Sequence, residues 1–119
     1  MKILIIEDNP VNRMLLAKLL SHHGVEVLEA ENGKRGIEIA KSKIPKLILL
    51  DLQLPEIDGY TVAKILREDQ QTADIPIVAV SANVRDVDKD KATNAGCIGF
   101  IEKPLDTRTF YESIKQYLN

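Results

Sequence analysis

Four consecutive aliphatic residues, positions 47–50, run without a polar interruption into a carboxylate, Asp51. A segment apolar on both faces has no solvent side, so it belongs inside a parallel sheet covered by helices above and below. Similar strand-length runs occur at residues 2–6, 25–30, 75–80 and 98–101, alternating with stretches of helical spacing. Five alternations predict a three-layer α/β domain with a five-stranded parallel sheet.

The helical stretches carry their own punctuation. Asn9 and Pro10 read as N-cap and first helical position, Val11, Leu15, Leu16, Leu19 and Leu20 follow as the inward face, and Gly24 closes the helix. Asn32 and Gly33 open a second helix with Ile37 and Ala40 inward and Pro45 beyond its end. A third begins after Gly59 and turns Val62, Ile65 and Leu66 inward. The last, capped by Asp106, buries Phe110, Ile114, Tyr117 and Leu118. Between the fourth and fifth strands, residues 83–94 offer only Val84, Val87 and Ala92 for burial. A helix held by so few apolar groups opens more easily than its neighbours.

At 119 residues the chain is expected to form one domain, residues 1–119. A net charge of -2 gives no basic field for nucleic acid, and no apolar run approaches a membrane span. The start, MKILIIEDNP, turns acidic after a few apolar residues and reads as a strand, not a signal peptide. The single cysteine, Cys97, has no partner for an internal disulfide and reads as a small buried hydrophobe, in keeping with a cytoplasmic setting. His22 and His23, adjacent at a helix end, do not share a face and are not read as a metal site.

In open α/β sheets, ligands bind at the carboxyl ends of the strands, where strand order reverses. In the flavodoxin-like order 2-1-3-4-5 the first strand lies beside the third, which brings Glu7 and Asp8 next to Asp51. Pattern alone does not fix that order. Three carboxylates in one pocket resist ionising together unless a cation offsets them, and oxygen-only ligands suit a hard ion such as Mg²⁺. Ser81 and the small Ala82, with its approachable backbone N–H, follow the fourth strand; Lys103, followed by Pro104, ends the fifth. Singly, Asp51 and Ser81 are turn residues and Lys103 a surface lysine. Together with Mg²⁺, Lys103 matches the three acidic charges, and such a pocket suits phosphoryl transfer, which depends on positioning and charge neutralisation.

With these residues in view the chain resembles a response regulator receiver domain of two-component signalling, of the CheY-like superfamily, over essentially its whole length. The matching stretches are IIEDNP, LLDLQLPEIDG, VSA and FIEKPL. The resemblance implies that Asp51 accepts phosphate from a histidine kinase or a histidine phosphotransfer protein, as part of a phosphorelay or two-component pathway. It implies Mg²⁺ ligation by Asp8, Asp51 and the backbone carbonyl of Gln53, with Glu7 acting through water. Ser81, Ala82 and Lys103 correspond to phosphate-contacting positions, the Lys103–Pro104 peptide to one that is usually cis, and Phe100 to an aromatic that turns inward on activation. In this reading phosphate draws Ser81, Phe100 fills the space vacated, and residues 83–94 shift, changing the binding of a downstream protein target.

Three departures from the usual pattern involve four positions: Phe100 in place of Tyr, Leu54 in place of Met, and Gln53 with Asn83 where the family tunes phosphoaspartate lifetime. The expected output is a binding state and not enzymatic turnover. Two other readings share the chemistry: a receiver belonging to a larger hybrid kinase or regulator, and an aspartate-nucleophile phosphatase. The phosphatase needs a second Asp two residues after the nucleophile, where this chain has Gln53, which cannot serve as a general acid. A flavin carrier is disfavoured because EDNP is acidic where an FMN phosphate needs a Ser, Thr and Gly-rich cradle.

Overall fold

All the side chains from Ile3 to Ile6 and from Leu47 to Leu50 are buried. That double-sided burial is possible only at the centre of a covered sheet. The computed structural model describes residues 1–82 and 85–118. The elements run β1 (Lys2–Ile6), α1 (Pro10–Ser21), β2 (Glu26–Ala30), α2 (Gly33–Lys43), β3 (Leu47–Asp51), α3 (Gly59–Glu68), β4 (Ile77–Ser81), α4 (Asp86–Ala95), β5 (Gly99–Glu102) and α5 (Phe110–Lys115). All strand pairings are parallel, in the order β2-β1-β3-β4-β5.

Alternation along the strands divides the core in two. Leu4, Ile6, Ile48, Leu50, Ile77 and Ala79 face a cluster completed by Ala40, Val62, Leu66 and Ala92 from α2, α3 and α4. Ile3, Ile5, Leu47, Leu49, Val78 and Val80 face the other cluster, closed by Leu16 and Leu20 of α1 and Phe110 and Ile114 of α5. Each such aliphatic side chain removed from water contributes roughly 1.5 to 3 kcal/mol.

Local chemistry sets the element ends. Asn9 accepts from the Val11 and Asn12 amides with Pro10 at the first helical position, Asn32 accepts from Arg35, and Asp58 accepts from Thr61. Gly24 adopts φ +72 and ends the α1 turn as expected. Strand β4 begins at Ile77 and not at Ile75, because Pro76 has no amide to donate; its carbonyl still accepts from Ile48 at 2.9 Å.

Helix faces show the larger differences. Val11 and Leu15, expected inward, are 69% and 37% exposed, while Leu16 and Leu20 form the buried ridge of α1. Ile65 of α3 is 37% exposed, since Val62, Ala63 and Leu66 already span the arc that meets the sheet. Asp106 does not cap α5: its carboxylate accepts from the Arg108 amide in a turn that precedes the helix, whose N-cap is Thr109. Val87 of α4 is 61% exposed; Asp88, Ala92 and Ala95 are that helix's buried residues, and Arg85 at its N-cap makes no side-chain capping bond. Val84 lies outside the described residues. His23 stacks on Tyr111 with ring centroids 3.6 Å apart, joining the end of α1 to α5.

Candidate functional site

Register decides which residues meet. Ile6 pairs with Leu50, so Glu7 and Asp8 lie level with Asp51; Asp51 pairs with Val80, which puts Ser81 one step beyond. Ser81 pairs with Glu102, and the Lys103 amide donates to the Ser81 carbonyl at 2.9 Å, tying the ends of β4 and β5 together. The strand order left open by the sequence therefore brings all four strand ends to one edge.

Behind Asp51 the chain turns sharply. The Gln53 amide donates to Asp51 Oδ1 at 2.9 Å, and the Gly59 amide donates to the Leu52 carbonyl at 3.1 Å. A Cβ on Gly59 would lie 2.5 Å from both the Asp51 carbonyl oxygen and Leu52 Cα, so α3 starts this close to the strand end only without a side chain there. That close approach, more than turn flexibility, explains the glycine.

Asp51 and Glu7 are buried, at 6% and 1% exposure, while Asp8 and Gln53 are exposed. One carboxylate oxygen from each of Glu7, Asp8 and Asp51 lies within 4.8 Å of the other two. Lys103, which follows β5 and precedes a cis peptide to Pro104, places its Nζ 2.8 Å from Glu7 Oε1 and 3.4 Å from Asp51 Oδ2. Glu7 Oε2 is buried with no hydrogen-bond partner among the described residues.

The electrostatics follow from this crowding. Burial raises the Glu7 pKa and contact with Asp51 adds to the rise, against the opposing pull of Lys103. Burial alone would lower the Lys103 pKa, but its hydrogen bond to Glu7 and the negative charges of Asp51 and Glu7 together raise it. The ammonium is held charged between two acids. Lys103 pairs with Glu7 and Asp51, which leaves room for a divalent ion among the three carboxylates, and the buried orphan oxygen of Glu7 with an all-oxygen donor set fits Mg²⁺.

Ser81 is buried and Ala82 is exposed at this same edge. Phe100 is half-buried on β5, packed against the cluster beneath α3 and α4, with Lys89 Nζ 6.0 Å from its ring centre. Leu54 is buried. Asn83 lies outside the described residues. Cys97 is buried and burial pushes its thiol up to about 11, as a structural cysteine requires.

One residue that braces the site from behind escaped the sequence reading. Arg13, the fourth residue of α1, donates from Nη1 to the Glu7 carbonyl at 2.8 Å. Its signal was present: a cation near a helix N-terminus opposes the helix dipole, so it needs some other reason to be there.

Beside the site runs a groove of about 320 Å³ lined by Asn12, Leu15, Leu16, Ala82, Pro104 and Leu105 as well as Glu7 and Lys103. Met14, 64% exposed, and Val11 stand on the same helix, α1.

Residues 3–115 match the response regulator receiver domain family. The polar-differentiation response regulator DivK of Brucella anthropi is 37% identical over 116 residues, covering 98% of this chain and 94% of that protein. The receiver domain of a sensor histidine kinase from Pseudomonas aeruginosa, solved with a magnesium ion coordinated in its active site cleft, superposes with a TM-score of 0.90 at 27% identity over 98% of this chain and 96% of that one. The chemotaxis protein CheY4 of Vibrio cholerae has the same fold, with a TM-score of 0.93 at 23% identity over 98% of each chain.

Proposed function

The chain belongs to the response regulator receiver domain family, a phosphorylation-switched signalling module, and on that premise we propose that Asp51 is its phosphoacceptor. The observation that carries this reading is the convergence of Glu7, Asp8 and Asp51 with Lys103 at one sheet edge. A carboxylate oxygen of Asp51 attacks the phosphorus of a phosphohistidine. The new O–P bond forms as the N–P bond breaks, and the electron pair returns to the imidazole nitrogen, which takes up a proton.

Asp8, Asp51 and the Gln53 backbone carbonyl would hold Mg²⁺, with Glu7 acting through water. When bound, Mg²⁺ offsets the charge of the carboxylates and of the incoming phosphoryl oxygens. Lys103 lies within reach of the same oxygens, Ser81 ends β4, and the Ala82 amide follows it at the same edge. Their role is to bind and orient the transferred group.

The donor is a histidine kinase or histidine phosphotransfer protein, and it docks over the apolar groove between α1 and Pro104, where Met14 and Lys18 meet it. The output is a change in protein binding and not turnover of a substrate. Phosphate draws Ser81, Phe100 moves inward, and the α4 face changes for a protein target, in a cytoplasmic pathway. No helix among the described residues is long and apolar enough to cross a membrane. The exposed Gln53 two residues after Asp51 argues against a phosphatase.

The test is transfer from a ³²P-labelled phosphohistidine protein or from acetyl phosphate, with and without Mg²⁺. Wild type is expected to take up one equivalent only with Mg²⁺, and Asp51→Asn none. Label retained on Asp51→Asn would overturn the assignment.

A further inference from the structure

We infer that Arg13 is a positioning residue for the acidic pair, fixing the backbone that carries Glu7 and Asp8 so that both carboxylates meet Asp51. The inference rests on the receiver reading of the site. Three mutually repelling carboxylates push the turn after β1 away from β3, so something must hold the main chain there. On one side the Glu7 amide donates to the Ala30 carbonyl at the end of β2, at 3.0 Å. On the other, the Glu7 carbonyl accepts from Arg13 Nη1 at 2.8 Å, and the same nitrogen lies 3.5 Å from the Asp8 carbonyl. The guanidinium is steadied by Glu29 of β2, whose Oε1 is 3.4 Å from Arg13 Nε.

The hydrogen bonds that matter here go to carbonyls and not to the acidic side chains. Arg13 thus clamps the peptides of Glu7 and Asp8 while its charge is shared with Glu29. Its side chain is only 21% exposed, so the clamp is partly shielded from competing water. A planar fork reaches Glu29 and the turn at once; a lysine ammonium, a point charge, does not reproduce that span. Residues that hold metal-binding groups from behind change affinity by about 10- to 100-fold when removed.

Charge and position predict opposite signs, and this makes the inference testable. Deleting a cation beside three carboxylates should tighten Mg²⁺ binding if charge alone matters. Releasing the turn should weaken it.

The experiment is calorimetric titration of Mg²⁺ into wild type, Arg13→Ala, Arg13→Lys and Glu29→Gln, with thermal melting in chelator to confirm folding. We expect Arg13→Ala to weaken Mg²⁺ about tenfold or more and Arg13→Lys to recover only part of that loss. In phosphorylation by acetyl phosphate, the half-saturating Mg²⁺ should rise by a similar factor while the rate at saturating Mg²⁺ stays within about twofold, because the reacting groups are untouched. Glu29→Gln should lie between wild type and Arg13→Ala. If Arg13→Ala does not fold, Arg13→Gln, which keeps one donor toward the Glu7 carbonyl, is expected to bind Mg²⁺ several-fold less tightly. Unchanged or tighter Mg²⁺ in the folded variant, or full recovery with Arg13→Lys, overturns the inference. Wild type that takes up no Mg²⁺ overturns instead the reading of the site on which it rests.

Discussion

Lys103 sits nearer to Glu7 than to Asp51, with its ammonium 2.8 Å from Glu7 Oε1 and 3.4 Å from Asp51 Oδ2. A single lysine therefore offsets two buried carboxylates, and the three acids of the site outnumber that one ammonium.

From this pairing, Asp51→Asn is expected to stabilise the metal-free protein by about 1 kcal/mol, a rise of about 3 to 5 °C in Tm, since it relieves repulsion without changing shape. Lys103→Met should act in the opposite sense. Stranding two buried acids costs several kcal/mol in a sealed core, and we expect about 1 to 3 kcal/mol here because the site opens to solvent. Urea unfolding in chelator measures both. A less stable Asp51→Asn protein would contradict the charge argument.

Gly59 carries the strand-end turn against the backbone of Asp51 and Leu52. Gly59→Ala should lower stability by about 1 to 3 kcal/mol, because the obstructing atoms are main chain and cannot rotate away. Phosphorylation by acetyl phosphate should slow as Asp51 is displaced. Wild-type stability and rate in that variant would show that α3 starts less tightly than described.

Cys97 gives a pH dependence with a definite sign. Burial pushes its thiol up from the ordinary 9.0 to about 11 in the folded chain, against the opposing Arg67 charge. Between these values the native state holds the proton that the unfolded chain releases, so the contribution is intact below pH 9 and lost as pH rises to about 11. The stability margin of wild type over Cys97→Ala should shrink by about 2 to 3 kcal/mol across that interval. Using the difference cancels the lysine and tyrosine titrations common to both. A constant margin in urea midpoints from pH 8 to 11 would sink the claim.

Helix α4 buries Asp88, Ala92 and Ala95 and lacks a side-chain N-cap, whereas α3 buries Val62, Ala63 and Leu66 and is capped by Asp58. Amides of α4 should exchange with solvent well before those of α3. Fluoroberyllate with Mg²⁺ should then move the Phe100 ring and the α4 resonances together. If neither changes while Asp51 is occupied, the coupling between the two does not exist.

How far the sequence could be read depended on whether a residue's environment is local. Asn9 and Asn32 were legible as helix starts because their hydrogen bonds close within three residues. The apolar faces of α1 and α3 were only half legible. Both helices carry more aliphatic residues than one sheet contact uses, and spacing does not say whether Val11 and Leu15 or Leu16 and Leu20 meet the sheet. Asp106 read as a cap because its type suits one, yet the chain spends a turn before α5 begins.

The sequence by itself determined the alternation of strands and helices, since a run apolar on both faces can be satisfied only inside a parallel sheet. It also marked Glu7, Asp8, Asp51, Ser81 and Lys103 as residues that end strands. Tertiary structure alone decided that β1 lies between β2 and β3, that Lys103 reaches across 96 residues of sequence to Glu7, and that Arg13 grips the turn behind the acids. Such pairings join elements far apart in the chain. Their geometry is set by which sheet neighbours bury the most hydrocarbon, a quantity no single segment contains.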